Sequence, residues 1–280
     1  RTGEEMVATG LGATPPDLTA FNSRRAALAD WMTSKDNPFV ARMFANRLWS
    51  HYLGRGLVDP IDDIRETNPA SNEPLLTYLS QQLIAGNYDI KALTRLILNS
   101  RVYQLSSRTN ESNSSDEQNF SHAVWRPMPA EVLLDAICQA TGIAETFNGW
   151  PKGYRAIEIW DNRMPSYFFK VFGKPQRVSV CECERGNEPS IAQALHLMNS
   201  AESVEKIRHK NGVARRLAQS NLSDDKIIEE LYLGTLTRLP SEAEVALMKQ
   251  VFVEEGVTRR TAVEDILWAL LNTREFVFNH

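Results

Sequence analysis

A chain of 280 residues, 42% hydrophobic and 24% charged, has the composition of a soluble globular protein and enough length to bury a sizeable core. Its net charge of −4 lacks the basic excess expected of a nucleic-acid binder, and no apolar run approaches the roughly 18 residues of a membrane-spanning helix. Three cysteines are too few for a disulfide scaffold, and none lies in a C-x-x-C-H haem-attachment motif.

The sequence opens at Arg1 with neither an initiator Met nor a leader, so it reads as a processed or excised piece. Residues 1–20 carry scattered Gly and Pro with little periodicity and read as a linker or extended arm. Asn22 or Ser23 then caps a first helix through Trp31-Met32, with Ala26, Ala27 and Leu28 expected inward. Asp36 or Asn37 caps the central helix, and Pro38 suits its first turn. There Val40, Phe44, Leu48 and Tyr52 repeat every four residues, and Ala41, Ala45 and Trp49 widen the apolar arc. Gly54 ends that helix, and Gly54-Arg55-Gly56 turns the chain into Leu57-Val58.

A long loop is expected over 59–72. Pro74 opens a helix with Leu75, Leu76, Leu79 and Leu83 on one face, closed by Gly86-Asn87. Asp89 caps the next, where Ile90, Leu93, Leu96 and Ile97 repeat at helical spacing. Residues 110–119 are polar and read as a mobile loop. Helix returns from Pro129 to Thr141, with Val132, Leu133, Ala136 and Ile137 facing in. The stretch 142–188 is the least helical and carries Trp150, Tyr154, Trp160, Tyr167, Phe168, Phe169 and Phe172. So aromatic a segment must pack on the helices or line a groove, and the alternation over 177–180 suits a short strand. Helices are then predicted at 190–199, 201–209, 212–219, 223–235, 241–255 and 260–272, with capping boxes at Ser190/Gln193 and Ser241/Glu244. The fold expected is all-α, or mostly α: one helical domain over 21–280 with an irregular aromatic insertion.

Several of these stretches occur together in a known family. Asn37-Pro38, Asn46-Arg47-Leu48-Trp49, His51 and Gly54-Arg55-Gly56-Leu57-Val58 resemble the opening signature of the planctomycete-type, cytochrome-associated C-terminal domain of unknown function. Further matches are Asn99-Ser100-Arg101-Val102-Tyr103-Gln104, Arg126-Pro127 with Glu131, the run Gln193 to Asn199, Arg238-Leu239-Pro240 with Glu244, and Asn272-Thr273-Arg274-Glu275-Phe276. The resemblance covers nearly everything after Phe21. It implies an exported protein, periplasmic or at the cell surface, in which this domain follows cytochrome-c-like and cytochrome-associated domains of the same polypeptide. It supplies no catalytic residues to transfer and implies no cofactor in this segment.

Residues with chemical potential are few. In Cys181-Glu182-Cys183-Glu184-Arg185 an extended backbone puts both thiols on one face and both carboxylates on the other. That suits a soft metal or a redox site, a bridge from Cys138 to one of the pair, or simply buried thiols, the usual fate of free cysteine. Imidazole titrates near neutrality, so His51 and His196 can serve as bases or ligands, although a hydrogen-bonded histidine between helices is the commoner case. Glu131 and Asp135 lie one helical turn apart, a spacing that helix surfaces carry constantly. The polar groups left beside apolar faces, Arg47, His51, Glu131, Arg185 and His196, must reach water or one another. They are expected to form an internal structural cluster, with Glu131 and Glu184 as acceptors for the arginines. No nucleophile-elbow, P-loop, zincin or dinucleotide motif is present. Two functions follow. One is a binding or assembly module beside cytochrome-like domains. The other is an enzyme acting on polysaccharide or a redox substrate in a groove lined by 142–188.

Overall fold

The computed structural model describes residues 9–10, 18–37, 39–160, 164–175 and 190–279. They are mostly α-helical, as expected. The order is a 3-10 turn Leu18–Ala20, α1 (Arg24–Thr33), α2 (Val40–Leu53), α3 (Glu73–Ala85), α4 (Ile90–Leu98), β1 (Arg126–Pro127) and α5 (Ala130–Thr141). A 3-10 turn at Ala156–Glu158 leads to α6 (Tyr167–Val171), α7 (Ile191–Asn199), α8 (Ala201–Arg208), α9 (Val213–Ala218), α10 (Asp224–Leu236), α11 (Glu242–Val253), α12 (Arg259–Leu271), α13 (Arg274–Val277) and β2 (Phe278–Asn279). The six helices predicted after residue 189 are all found, with ends within two residues. The strand expected at 177–180 lies outside the described residues.

Where the sequence pattern draws one domain over 21–280, the chain divides into two compact units, 1–124 and 125–280. Each has its own apolar core.

In the first unit, Ser23 caps α1 by accepting from the Ala26 N–H. Only Ala27 of that helix is buried, and Leu28 faces out, against expectation. The start of α2 is held by Asn37, whose side-chain oxygen accepts from the backbone N–H groups of Phe39 and Val40. The buried stripe of α2 is Ala41, Ala45, Asn46, Trp49 and Ser50, one position round from the expected Val40–Phe44–Leu48–Tyr52 row. Phe44 is exposed. Small residues win this face because they let α3 approach closely, and its Leu76, Leu79 and Leu83 complete the core with Leu93 and Ile97 of α4.

The turn after α2 is fastened by one amide. Asn46, 0% exposed, donates to the carbonyls of Val58 (2.8 Å) and Ile61 (3.0 Å) and accepts from the Val58 N–H (2.9 Å). Gly54 makes the turn in the left-handed region, at φ 87°. A Cβ on Gly56 would lie 2.2 Å from the Val58 carbonyl oxygen and 3.0 Å from the Asn46 amide, so no side chain fits there. Leu57 and Val58 then enter the core.

Residues 110–119 are polar and also ordered by their own hydrogen bonds. The Asp116 carboxylate accepts from the N–H groups of Gln118, Asn119 and Ser121. Together with the Ser121 hydroxyl, these hold its pKa well below the usual carboxylate range. The next residue, Phe120, packs edge-on against Trp49 at 5.3 Å.

The second unit is a helical bundle. Leu133, Leu134 and Ile137 of α5 pack with Ile227, Ile228 and Leu231 of α10 and with Val263, Ile266, Leu267 and Leu270 of α12. Val132, expected inside, is exposed. Gly142 ends α5 at φ 72°, where a Cβ would lie 3.0 Å from Val213 at the start of α9. One guanidinium ties three helices together. Arg238, just after α10, forks onto Glu244 of α11 (2.7 and 2.9 Å) and onto Glu275 of α13 (2.5 and 2.8 Å). Glu244 also accepts from the Ser241 N–H in its capping box. Arg238's hydrogen bonds, ahead of that capping contact, hold the Glu244 carboxyl down at about 2.

Three outcomes are expected from this architecture. Asn46→Ala removes every partner of a buried N–H and two carbonyls and should cost about 2–4 kcal/mol by urea unfolding. Trp49, 2% exposed, should cost about 3–5 kcal/mol as Ala. The Phe replacement should be milder, because Trp49 Nε1 is buried with no hydrogen-bond partner among the described residues. Arg238→Ala should cost about 1–3 kcal/mol at neutral pH. A carboxylate with a depressed folded pKa stabilises above its unfolded value, near 4.5, and loses that contribution as pH falls. The gap between wild type and Arg238→Ala should therefore close as pH drops from 4.5 toward 2, in unfolding curves taken across that range.

Candidate binding face and ion cluster of the second unit

The polar residues singled out by sequence are spread over both units. In the first unit, Arg47 forks onto Asp62, with bonds of 2.7 to 3.0 Å, an acceptor the sequence reading did not name. His51 is exposed and meets Tyr52 edge-on at 4.9 Å. In the second unit, Glu131 is buried in the first turn of α5. Its neighbour Asp135 accepts from the N–H groups of Ala156 (2.6 Å) and Ile157 (3.1 Å) and so anchors the 3-10 turn of the aromatic insertion. His196 is buried among the rings of Tyr167, Phe168 and Phe172, at 5.4 to 5.9 Å. Burial pushes its imidazole below the ordinary value, toward the neutral form, and its Nε2 has no hydrogen-bond partner among the described residues. Arg185, Cys181 and Cys183 lie outside the described residues. Cys138 is half-buried, and desolvation pushes its thiol up, away from the reactive thiolate.

The aromatic insertion splits its rings between two environments. Phe147, Phe168, Phe169 and Phe172 are core residues. Phe168 stacks on Phe172 at 4.3 Å, and Phe147 stacks on Phe169 at 6.2 Å. Tyr154, Trp160 and Tyr167 face water. Trp150, partly buried against the core, gathers Tyr154 (5.3 Å) and Trp160 (5.8 Å) around it, and Trp160 is 77% exposed. Tyr167, on the outer side of α6, is 67% exposed and reaches His196 of α7. That helix buries Leu197 but turns other apolar residues outward: Ile191 is 81% exposed, and Leu195 and Met198 are exposed too. The Gln193 side chain fixes α7 to α6 by donating to the Val171 carbonyl (3.1 Å). These are large apolar groups on well-anchored elements, and water is a poor solvent for them.

Sequence reading missed a second feature of this unit, the group Glu145, Glu202 and Lys206. Lys206 on α8 is buried, and its ammonium lies 3.0 Å from Glu145 Oε2. Glu145 follows α5, and its Oε1 accepts from the Thr146 N–H (2.9 Å). Glu202, one turn before Lys206 on α8, lies near enough for its charge to bear on Glu145. Partial desolvation, and then the neighbouring Glu145 carboxylate, push the carboxyl of Glu202, an exposed residue, up to about 7. Burial acts to raise Glu145 as well, but the Lys206 and Thr146 bonds outweigh it and hold Glu145 below its ordinary value. Only the i,i+4 spacing of Glu202 and Lys206 was visible in the sequence, and that spacing is common on solvated helices. Glu145 lies 57 residues before Glu202 in a loop, where no periodicity points to it.

A family described as PSD1, protein of unknown function (DUF1553), matches residues 24–252. No curated protein and no solved structure matches the chain. With the match spanning most of its length, this chain belongs to the PSD1 (DUF1553) family of proteins of unknown function.

Proposed function

We propose that this protein is an exported, periplasmic or cell-surface binding and assembly module, working beside cytochrome-c-like domains of the same polypeptide. In this reading any redox chemistry resides in those neighbours, and the module binds no cofactor of its own. The observation that carries the reading is the outward presentation of Trp160, Tyr167, Ile191 and Leu195 on elements pinned by Asp135 and Gln193. Aromatic groups on a rigid support lose little entropy on docking and are the side chains most often central to interfaces. The choice of a cytochrome-like neighbour comes from the sequence resemblance. A further support is that motif residues carrying that resemblance, Asn46, Gln193, Arg238, Glu244 and Glu275, all serve the fold.

Calorimetric titration of this chain with the cytochrome-c-like domain of the same polypeptide tests the reading. Binding is expected, and Trp160→Ala should weaken it roughly tenfold or more while leaving the melting temperature unchanged. Equal affinity of wild type and Trp160→Ala would remove the aromatic face from the interface. Saturable quenching of Trp160 fluorescence by soluble oligosaccharides, with no cytochrome binding, would replace this reading with the polysaccharide one.

A further inference from the structure

The corner between α8 and α9 collects positive charge in a chain whose net charge is −4. Between Lys206 and Asp224 the sequence has no acidic residue but carries Arg208, Lys210, Arg215 and Arg216. The fold adds a fifth cation. Arg260, in the first turn of α12, donates to the Arg208 carbonyl at the end of α8 (3.0 Å). Both guanidiniums meet one carboxylate, that of Glu264, with Arg260 Nε at 2.6 Å and Arg208 Nε at 3.8 Å. Lys210, Arg215 and Arg216 have no carboxylate partner among the described residues. Glu205 and Asp265, on the same helices as Arg208 and Arg260, bond none of the five cations.

The corner is held firmly. The Gly212 N–H donates to the His209 carbonyl (2.9 Å), and the Asn211 N–H donates to His209 Nδ1 (3.2 Å). Helix α9 packs on both α8 and α12 and buries Ala214 and Leu217. That leaves Arg216 and Lys210 exposed and Arg215 half-buried, while the side chains of Arg208 and Arg260 are 65% and 45% exposed. Like charges gathered in this way repel one another, and an external anion relieves the repulsion. Four of the five are guanidiniums, whose forked donors match the oxygens of an oxyanion.

The surroundings of the cations narrow the choice of anion. No large hydrophobic side chain is exposed among residues 199–221 or 254–279. A membrane-surface anchor needs apolar groups to insert beside its cations, and a protein interface needs an apolar or aromatic centre. Single-stranded nucleic acid needs rings on which its bases stack. The corner offers none of these. Duplex nucleic acid asks for the basic excess that the whole chain lacks. A polymer held by ion pairs and polar contacts alone fits better. Asn211, next to Lys210, and Gln219, one turn after Arg216, are both exposed and offer neutral donors and acceptors to sugar hydroxyls. We propose that Arg208, Lys210, Arg215, Arg216 and Arg260 form a binding site for an acidic polysaccharide bearing carboxylate or sulfate groups. Such a site is independent of the cytochrome-facing role proposed above.

Calorimetric titration of the whole chain with polygalacturonate and with dextran sulfate tests the site. One or both should bind, the polymer bound naming the acidic group, and uncharged dextran should not. Affinity should fall roughly tenfold or more between about 50 and 200 mM salt, as ion pairs displace counterions. The double variant Lys210→Gln/Arg216→Gln removes two cations that bond no carboxylate in the fold. It should keep the melting temperature and bind roughly tenfold more weakly at about 50 mM salt. Should it not fold, the single variant Arg216→Gln serves, with a loss of roughly threefold. Trp160→Ala should bind as wild type does. Absence of binding by both polyanions, or equal affinity of wild type and the double variant, would overturn the site. Tighter binding to polyglutamate, duplex DNA or phosphatidylglycerol vesicles than to either polysaccharide would overturn the choice of partner.

Discussion

The first unit depends on the primary amide of Asn46. A helix leaving its last turn must bring the chain back against its own flank, and the returning backbone carries polar groups into an apolar space. A strand partner would normally satisfy them; here one side chain does so, accepting from Val58 and donating to Val58 and Ile61. The arrangement requires the backbone to come within an amide's reach of α2, which explains why Gly56 has no room for a Cβ. It also delivers Leu57 and Val58 to the core beside Trp49. Arg238 plays a comparable part in the second unit, at a less buried place. It joins segments that α-helices alone leave unconnected, because helices satisfy their own backbones and offer neighbours only side chains.

The second unit handles its aromatic residues in two ways that follow from anchoring. Rings that stack in register, such as Phe168 on Phe172, fill the gap between α5 and the insertion. Tyr154, Trp160 and Tyr167, on the outer side of the same turns, remain in water. The insertion is thus a cover for the bundle on one side and a presented surface on the other. The ion cluster stands at its root.

Much of the helical order could be read from the sequence because helix ends are local chemistry. Ser190 with Gln193 and Ser241 with Glu244 form the capping boxes that their spacing implies, and Asn37, Asn72 and Asp89 fix helix starts in the same way. Faces were harder. In α2 the largest side chains suggested one row and the small ones another, and close approach by α3 decided for the small ones. In α7 the apolar residues were legible but not their outward direction, which depends on the contact of His196 and Gln193 with α6. The division into two units was not visible, since each core is built from the same kinds of helix. The cluster of Glu145, Glu202 and Lys206 was hidden for a simpler reason. Its chemistry arises from burial and from a loop contact, and neither leaves a spacing to read.

The small ladder that joins β1 to β2 has a topological consequence. Arg126 pairs with Asn279 and Pro127 with Phe278, and the neighbouring rings of Trp125 and Phe278 meet edge-on at 6.3 Å. The first and last described residues of the second unit therefore stand side by side, zipped together. A polypeptide that enters and leaves at one point forms a closed loop in the topological sense. Such a body can be cut from one chain and spliced into another, or have its ends joined and reopened elsewhere, without disturbing its interior. By this geometry, residues 125–280 have the character of a transposable cassette.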